Sequence, residues 1–252
     1  MDAKIVRTGL FTKKSNLTLA EFRDYWHYHH AAIASHMHGM MKYDQNHVVR
    51  KASLGSVPAT SRDCDGMSQI WFASMEGQKS NDPETMSKLA IDEHILFQTM
   101  DLVVSETKVY REMTPDTPFV KYMSFVKKAE GMDAEEFKSR LEAVAEKMLA
   151  IPGCIEYRAG SVLERLMCNA QGDRVKKADD KSYAHPSWIS ATYEEVPVDA
   201  VLEIYFRFSE ETAIEDVFAT EAGAAACDSL KEILSEASTY ICDVHHIVNK
   251  YL

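Results

Sequence analysis

The spacing of hydrophobic and polar positions repeats itself in the two halves of the chain. Residues 4–14 and 120–128 have the pattern of strands. A helix start follows each strand, at Thr18 and at Asp133, and a glutamate stands three residues after both. This is the spacing at which a capping side chain and its partner satisfy free backbone N–H groups. The sequence therefore predicts the same strand–helix unit twice.

Each half continues with further strands and a long helix. Alternating strand patterns occur at 65–72 and 199–206, long helices are expected over roughly 83–102 and 210–236, and strand patterns close the halves at 106–112 and 244–250. Each half then has the order β-α-β-β-α-β. That order is typical of the ferredoxin-like unit, an antiparallel four-stranded sheet with both helices on one face.

The open faces of two such sheets can be buried against each other when the sheets close into a barrel. We therefore expect an α+β protein with two tandem ferredoxin-like units, forming an intramolecular dimeric α/β-barrel. The expected units are residues 1–114 and 119–252, because two prolines mark 114–118 as a linker. The polar stretch near 165–198 is expected to be an insertion, either a surface loop or a lid over a pocket.

Composition narrows the classes of function. The chain has 252 residues and a net charge of -11, and no basic stripe offsets that charge, so a nucleic-acid partner is not expected. No run of about 18 apolar residues predicts a membrane span, and we expect a soluble cytoplasmic protein. The five cysteines are scattered and never in CxxC spacing, which predicts neither a disulfide framework nor a zinc ribbon.

Six of the ten histidines lie between Phe22 and His47. On a helix that begins near Thr18, Trp26 and His30 lie four residues apart on the apolar face. The segment lacks the HExxH pattern of zinc helices, so no metal site is expected. From periodicity alone, His30 is either a hydrogen-bonded core histidine or a functional one.

Several segments of the first half together resemble the EthD-like family of dimeric α/β-barrel proteins. They are ThrLeuAlaGluPheArgAspTyrTrp (18–26), His30-Ala31, GlyMetMetLysTyrAspGlnAsnHis (39–47), Asp65-Gly66 and IleTrpPheAlaSerMetGlu (70–76). The second half is similar in layout alone, because Leu141 and Ala145 stand where Trp26 and His30 would be expected. It is interpreted as a degenerate copy. Asp65-Gly66 is read as a turn before a strand.

The resemblance implies an architecture and a range of activities. Fungal relatives are thought to dehydrate aromatic polyketides, and others in the wider superfamily are cofactor-free monooxygenases, isomerases or haem-binding proteins. The family's spacing between tryptophan and histidine matches Trp26 and His30 here.

The candidate catalytic residues are His30 and Tyr43. An imidazole can take a proton from a carbon atom next to a carbonyl group, and a phenol can steady the resulting enolate. Strand alternation places Tyr43, Gln45 and His47 on one face and Asp44 and Asn46 on the other. The candidate substrate-binding residues are Tyr25, Trp26, His29, Ile33, Gln45, His47 and His94. Aromatic and methionine positions at helical spacing are also typical of a plain core.

Three classes of function remain open. The first is a lyase (dehydratase) or isomerase, without a cofactor, acting on a hydrophobic carbonyl-bearing small molecule of aromatic or lactone-like type. The second is a cofactor-free or haem-assisted monooxygenase. The third is a non-catalytic small-molecule-binding protein. No partner other than a small molecule is indicated, although a homodimer is compatible with the sequence.

Overall fold

The computed structural model describes residues 4–60, 62–79, 83–166, 198–208 and 214–250 of the chain. Its strands are β1 (Lys4–Lys13), β2 (Met40–Ala52), β3 (Gly66–Phe72), β4 (Phe97–Arg111), β5 (Phe119–Lys128), β6 (Cys154–Leu166), β7 (Ala200–Arg207) and β8 (Leu234–Asn249). Its helices are α1 (Leu19–Tyr25), a π-helical turn (Trp26–His30), α2 (Ala31–Ala34), α3 (Met75–Lys79), α4 (Pro83–Leu96), α5 (Ala134–Leu149), a 3₁₀ turn (Ile214–Ala219) and α6 (Glu221–Lys231).

The strands close into one barrel within a single chain. Their order around the barrel is β1-β3-β2-β8-β5-β7-β6-β4, and β4 returns to pair with β1. All eight pairings are antiparallel. The α+β class and the barrel expected from the sequence are thus present. No helix in the described part of the chain is long and apolar enough to cross a membrane.

Both predicted helix starts are capped as the sequence indicates. The Thr18 hydroxyl accepts a hydrogen bond from the Glu21 N–H at 3.2 Å, and the Glu21 carboxylate accepts one from the Thr18 N–H at 2.8 Å. In the second half, the Asp133 carboxylate accepts from the Glu136 N–H at 2.8 Å. These bonds satisfy N–H groups that have no partner within the helix.

The two long helices are shorter than predicted. The helix expected over 83–102 ends at Leu96, and β4 begins at Phe97. The Leu96 carbonyl accepts from the Lys14 N–H at 3.0 Å, and the Phe97 ring stacks on Phe11 with 4.0 Å between centroids. Pairing with β1 therefore overrides the local helix propensity here. The prediction over 210–236 was also too long, since the described residues contain only the 3₁₀ turn and α6, and β8 begins at Leu234.

The predicted insertion falls mostly outside the described residues. β6 extends to Leu166 and β7 begins at Ala200, while residues 167–197 are not described. The insertion therefore stays a prediction, either as a surface loop or as a lid.

Successive residues of each strand face either the helices or the barrel lumen. On β1, Leu10 belongs to an apolar cluster inside the barrel, while Phe11 packs beneath α1 and α4. On β2, Tyr43 packs in the layer under α2 and α4, while Asn46 bonds to residues of the lumen. The helix-facing side of β1, β3 and β2 forms the floor of the layer that contains the predicted site.

The lumen contains a buried network of charged and polar side chains that joins strands on opposite sides of the barrel. Nζ of Lys121, on β5, lies 2.8 Å from the Glu203 carboxylate, 2.8 Å from Oδ1 of Asn46 and 2.5 Å from Oε1 of Gln69. Lys121 is 0% exposed. Since burial of a lone ammonium group is costly, these partners are what makes its position tolerable.

Corresponding contacts recur in the two halves at the start of β3 and of β7. The Asp65 carboxylate accepts from the Lys13 N–H at 2.9 Å, and the Asp199 carboxylate accepts from the Lys128 N–H at 3.0 Å. The Asp65 N–H donates to the Phe11 carbonyl on β1, and the Asp199 N–H donates to the Val126 carbonyl on β5, both at 2.8 Å. The Val48 N–H, on β2, donates to the Asp65 carbonyl at 3.2 Å. Asp65 therefore ties β1, β2 and β3 together, which agrees with its predicted structural role.

Candidate functional site

The helix that carries the histidines contains one turn of π-helix. The Ala31 N–H donates to the Trp26 carbonyl, five residues back instead of four. Such turns widen the helix locally and often occur at functional sites. Trp26 and His30 are both buried on the inner face of this turn, so the predicted apolar stripe continues through it.

His30 is held by a carboxylate on another helix. Its Nδ1 lies 2.6 Å from Oδ2 of Asp92 on α4, and both side chains are buried. A carboxylate accepts hydrogen bonds, so Nδ1 carries the proton and the lone pair of the neutral ring is on Nε2. The described residues provide no hydrogen-bond partner for Nε2. The Phe97 ring packs edge-on against the imidazole, with 5.5 Å between centroids.

Tyr25 holds the second oxygen of the same carboxylate. Its hydroxyl donates to Oδ1 of Asp92 at 2.8 Å. This hydrogen bond to the carboxylate raises the pKa of Tyr25, so the phenol keeps its proton. Asp92 therefore accepts from a phenol and an imidazole together, which fixes both the orientation and the tautomer of His30.

Tyr43 and Gln45 lie side by side on the β2 floor of the same layer. Nε2 of Gln45 donates to the Tyr43 hydroxyl at 3.0 Å and to the Trp26 carbonyl, in the π-helical turn, at 2.8 Å. Burial raises the pKa of Tyr43 well above its usual value, and the carboxylates of Asp92 and Glu93 add to this rise. Tyr43 is therefore a neutral phenol at physiological pH.

His47 continues this row toward the surface. Its ring stacks on Trp26 with 5.0 Å between centroids and lies 4.3 Å from the ring of His245 on β8. Burial, with the nearby charges of His245 and Arg23, lowers the pKa of His47 to about 3. The imidazole is therefore neutral at physiological pH. In the described ranges, no three His, Cys, Asp or Glu side chains form a group that could hold a metal ion.

The structure brings together most of the predicted site residues. Those buried or half-buried in this layer are Tyr25, Trp26, His30, Ile33, Tyr43, Gln45 and His47. His29 is exposed and touches the layer only through the Tyr25 ring, 5.0 Å away between centroids.

The structure places His94 apart from this layer, and its role in substrate binding stays a prediction. It lies on the exposed face of α4, because Leu89, Asp92 and Leu96 occupy the buried face of that helix. Helical periodicity rotates position 94 away from this face.

Sequence reasoning missed Asp92. A signal was available, because Asp92 lies three residues after Leu89 and four before Leu96, which puts a carboxylate on the apolar side of α4. A buried carboxylate needs a partner, and His30 and Tyr25 provide two.

A cavity of about 280 Å³ lies elsewhere, at the other end of β2. Its lining residues are Arg50, Ala52, Ser53, Tyr122 and Phe218. Arg50 is seven residues beyond Tyr43 on the strand, roughly 20 Å away. It is not part of the His30 layer.

Comparison with family models finds a similarity in the first half of the chain. Residues 14–98 match the model of the EthD domain family, and they span α1 to α4, including His30, Tyr43 and Asp92. A comparison with curated proteins finds no match.

Several solved structures resemble the whole barrel. A proposed monooxygenase from Lactobacillus acidophilus superposes with a TM-score of 0.55 at 9% identity, covering 99% of this chain and 97% of its own. An anthrone oxidase-like protein superposes with a TM-score of 0.57 at 14% identity, covering 99% of this chain and 95% of its own. A proposed monooxygenase from Fusobacterium nucleatum superposes with a TM-score of 0.53 at 10% identity, covering 96% of this chain and 93% of its own. At these identities the likeness shows the fold alone.

Proposed function

We propose that the chain is a cofactor-independent enzyme in which His30 removes a proton from a carbon atom next to a carbonyl group. The observation that supports this most is the 2.6 Å contact between Nδ1 of His30 and the Asp92 carboxylate. It leaves the basic lone pair on Nε2, inside a layer of aromatic side chains. A positioned histidine with a carboxylate behind it is a well-established arrangement for general base catalysis.

The proposed substrate is a hydrophobic aromatic or lactone-like molecule. Trp26, Phe97 and Tyr43 are buried around the imidazole, and aromatic faces favour a planar apolar ligand. Nε2 takes the proton, the electrons of the C–H bond form an enolate, and the negative charge develops on the carbonyl oxygen. The neutral phenol of Tyr43 then donates a hydrogen bond to that oxygen.

The fate of the enolate defines the reaction class. In a dehydratase it expels a hydroxyl group from the neighbouring carbon, and the imidazolium of His30 supplies the proton that completes water. In an isomerase the imidazolium returns the proton to a different carbon atom. A lyase or isomerase of this kind is our first candidate, because both steps need only the groups that surround His30.

A cofactor-free monooxygenase is the second candidate, favoured by the names of the structural neighbours. The first step is the same. The carbanion then transfers its electrons to O₂, which gives a hydroperoxide, and loss of water converts the original CH₂ group to a carbonyl group. One O₂ molecule is consumed and one water molecule is released for each turnover.

Hydrogen–deuterium exchange tests the shared step separately from the reaction outcome. The wild-type protein is incubated without oxygen in D₂O with 3,4-dihydrocoumarin or anthrone. Mass spectrometry then measures deuterium entering C3 of the lactone, or the C10 methylene of anthrone, which is conjugated with the carbonyl group through the rings. We expect exchange above the buffer rate, and a loss of about two to four powers of ten in His30→Asn. His36→Asn, which alters an exposed histidine outside the predicted site, is the matched control and should exchange like the wild type.

The same proteins separate the candidate functions. Oxygen uptake on admitting air would favour the monooxygenase. Loss of water without oxygen from a β-hydroxy ketone, such as 4-hydroxy-4-phenylbutan-2-one, would favour the lyase. Binding of both compounds with no exchange above buffer would reject the enzyme and favour a binding protein.

We also propose that the barrel consists of two tandem ferredoxin-like units, residues 1–114 and 119–252, with a degenerate second unit. The recurrent aspartate contacts of β3 and β7 support this, as do the two matching helix caps. Counted from its cap, α5 has Leu141 and Ala145 where the first half has Trp26 and His30. One chain would then hold one reactive site.

The tandem arrangement predicts that the halves depend on each other. Residues 1–114 alone leave the lumen face of their sheet uncovered, so we expect this fragment to aggregate or to pair with itself. A stable monomeric fragment with protected core amides in hydrogen exchange would contradict the proposal. Self-association of the whole chain into a homodimer is a separate proposal, which sedimentation equilibrium would check.

A further inference from the structure

Gln45 is the residue that connects the π-helical turn with Tyr43. It is 0% exposed, and its Nε2 donates to both the Trp26 carbonyl and the Tyr43 hydroxyl. Its Oε1 lies 3.4 Å from Nε2 of His47. Every polar atom of the amide therefore faces a protein group.

The direction of these hydrogen bonds follows from chemistry. A backbone carbonyl can only accept, so the amide nitrogen must be the atom that faces Trp26. The same nitrogen then donates to Tyr43, which makes the phenol oxygen an acceptor. The single proton of the Tyr43 hydroxyl is not used in this bond, and no other described group accepts it.

We infer that Gln45 is a positioning residue, which holds Tyr43 as a one-way hydrogen-bond donor toward the substrate oxygen. The inference rests on the proposed function of His30 and Tyr43. The bonds then run in one direction, from His47 to Gln45, from Gln45 to Tyr43, and from Tyr43 to the substrate. The oxygen that the substrate places there is an acceptor, such as a ketone or lactone carbonyl that becomes an enolate.

The second half of the barrel offers an internal comparison. Tyr157 on β6 pairs with Ile204 on β7, as Tyr43 pairs with Ile70. Two residues further on, β6 has Ala159 where β2 has Gln45. The hydroxyl of Tyr157 is buried and has no hydrogen-bond partner among the described residues. In the second half, where alanine stands in place of the glutamine, the tyrosine hydroxyl thus lacks a donor among the described residues.

Gln45→Glu tests the inference, because it replaces the amide NH₂ with an acceptor of nearly the same shape. The carboxylate would accept a hydrogen bond from the Tyr43 hydroxyl and so reverse the bond, and the phenol could no longer donate to the substrate. We expect deuterium exchange into anthrone to slow by about 10²–10³-fold, the effect of losing one oxyanion donor. The apparent affinity for anthrone should change by less than about threefold, because the donor acts mainly on the developing charge.

A second readout does not depend on turnover. 2-Naphthol is the probe, because its absorption and emission distinguish the neutral and ionised forms, and a bound naphtholate resembles the enolate. The wild type should hold ionised 2-naphthol, with its proton on His30 and its oxygen next to Tyr43, and Gln45→Glu should hold the neutral form. Gln69→Glu, an equally buried glutamine in the lumen, is the control for placing a carboxylate inside the protein.

The outcomes separate this inference from the function on which it rests. If His30→Asn loses exchange but Gln45→Glu keeps both exchange and naphthol ionisation, the positioning role is wrong and the proposed function stands. If wild type shows neither exchange nor ionised naphthol, the proposed function fails first. A loss in Gln45→Glu that Gln69→Glu reproduces would indicate a general effect of a buried carboxylate and would overturn the inference.

Discussion

Gly66 lies against the indole ring of Trp26. A Cβ atom at this position would come within 2.4 Å of Cζ3 of that ring. The first residue of β3 is therefore a glycine because the aromatic side chain beside His30 occupies the space. In the second half the corresponding strand begins with Ala200, which shares a core cluster with Leu141 and not with a tryptophan.

Gly66→Ala should destabilise the fold by about 1–3 kcal/mol, because the added methyl group overpacks the Trp26 site. The double variant Gly66→Ala/Trp26→Leu should cost less than the sum of the two single changes, since leucine makes room for the alanine. Urea unfolding of the four proteins measures this coupling. Strict additivity would contradict the close contact.

Asp92→Asn should lower the exchange rate by about two to four powers of ten, because an amide can present an N–H to His30 and favour the wrong tautomer. Tyr25→Phe removes only one of the two donors to Asp92, so a smaller loss of about threefold to thirtyfold is expected. The deuterium-exchange rate and the melting temperature of each variant are measured together, so that a loss of activity is distinguished from a loss of folding. An Asp92→Asn protein with full activity would show that the carboxylate is only structural.

Tyr157→Phe should stabilise the protein by about 1 kcal/mol, because it removes a buried hydroxyl that has no partner. Tyr43→Phe should have the opposite sign, since it removes the acceptor of a Gln45 hydrogen bond. Chemical unfolding of the two variants gives the comparison. Equal destabilisation by both changes would indicate that the Tyr157 hydroxyl is satisfied in solution.

Acid should destabilise the fold through His47. In the folded protein the pKa of His47 is about 3, below the usual 6.5. Between pH 6.5 and pH 3, His47 is therefore protonated in the unfolded chain but neutral in the folded protein. The stability due to neutral His47 is complete above pH 6.5 and is lost as the pH falls toward 3. When the pH falls from 7.5 to 4.5, the free energy of unfolding of His47→Gln should decrease by about 2–3 kcal/mol less than that of the wild type.

The control for this acid effect is His94→Gln, which alters an exposed histidine and should follow the wild type. Urea unfolding at the two pH values provides the free energies. Parallel curves for wild type and His47→Gln would show that the imidazole can be protonated in the folded state.

Lys121→Met should cost about 3–5 kcal/mol, because it leaves the Glu203 carboxylate buried without its ammonium partner. Burial acts to raise the pKa of Glu203, but Lys121 and Arg158 outweigh it and hold the pKa at about 2. Adding Glu203→Gln should restore part of the loss, because no charge is then left uncompensated. The free energy of unfolding at pH 7 tests both statements.

Local periodicity was enough to predict part of the candidate site. Trp26 and His30 repeat every four residues along one helix face, and Tyr43, Gln45 and His47 alternate along one strand face, so their burial follows from short-range geometry. The helix caps at Thr18 and Asp133 are equally local. None of these predictions required knowledge of how the elements pack.

Contacts between distant elements were harder to predict. Asp92 meets His30 only because α4 packs beside the π-helical turn, and no local pattern indicates that turn. The early end of α4 has the same origin, since pairing of β4 with β1 decides where Phe97 lies. The lumen charges around Lys121 likewise depend on closure of the barrel.

One chain supplies all eight strands of the barrel. In a barrel made of two identical copies, every substitution appears twice, and a residue at the interface must fit its own counterpart. Here Lys121 of β5 meets Asn46 of β2 and Gln69 of β3, which are different groups at different positions. Covalent linkage thus lets residues on opposite sides of the lumen change independently of one another.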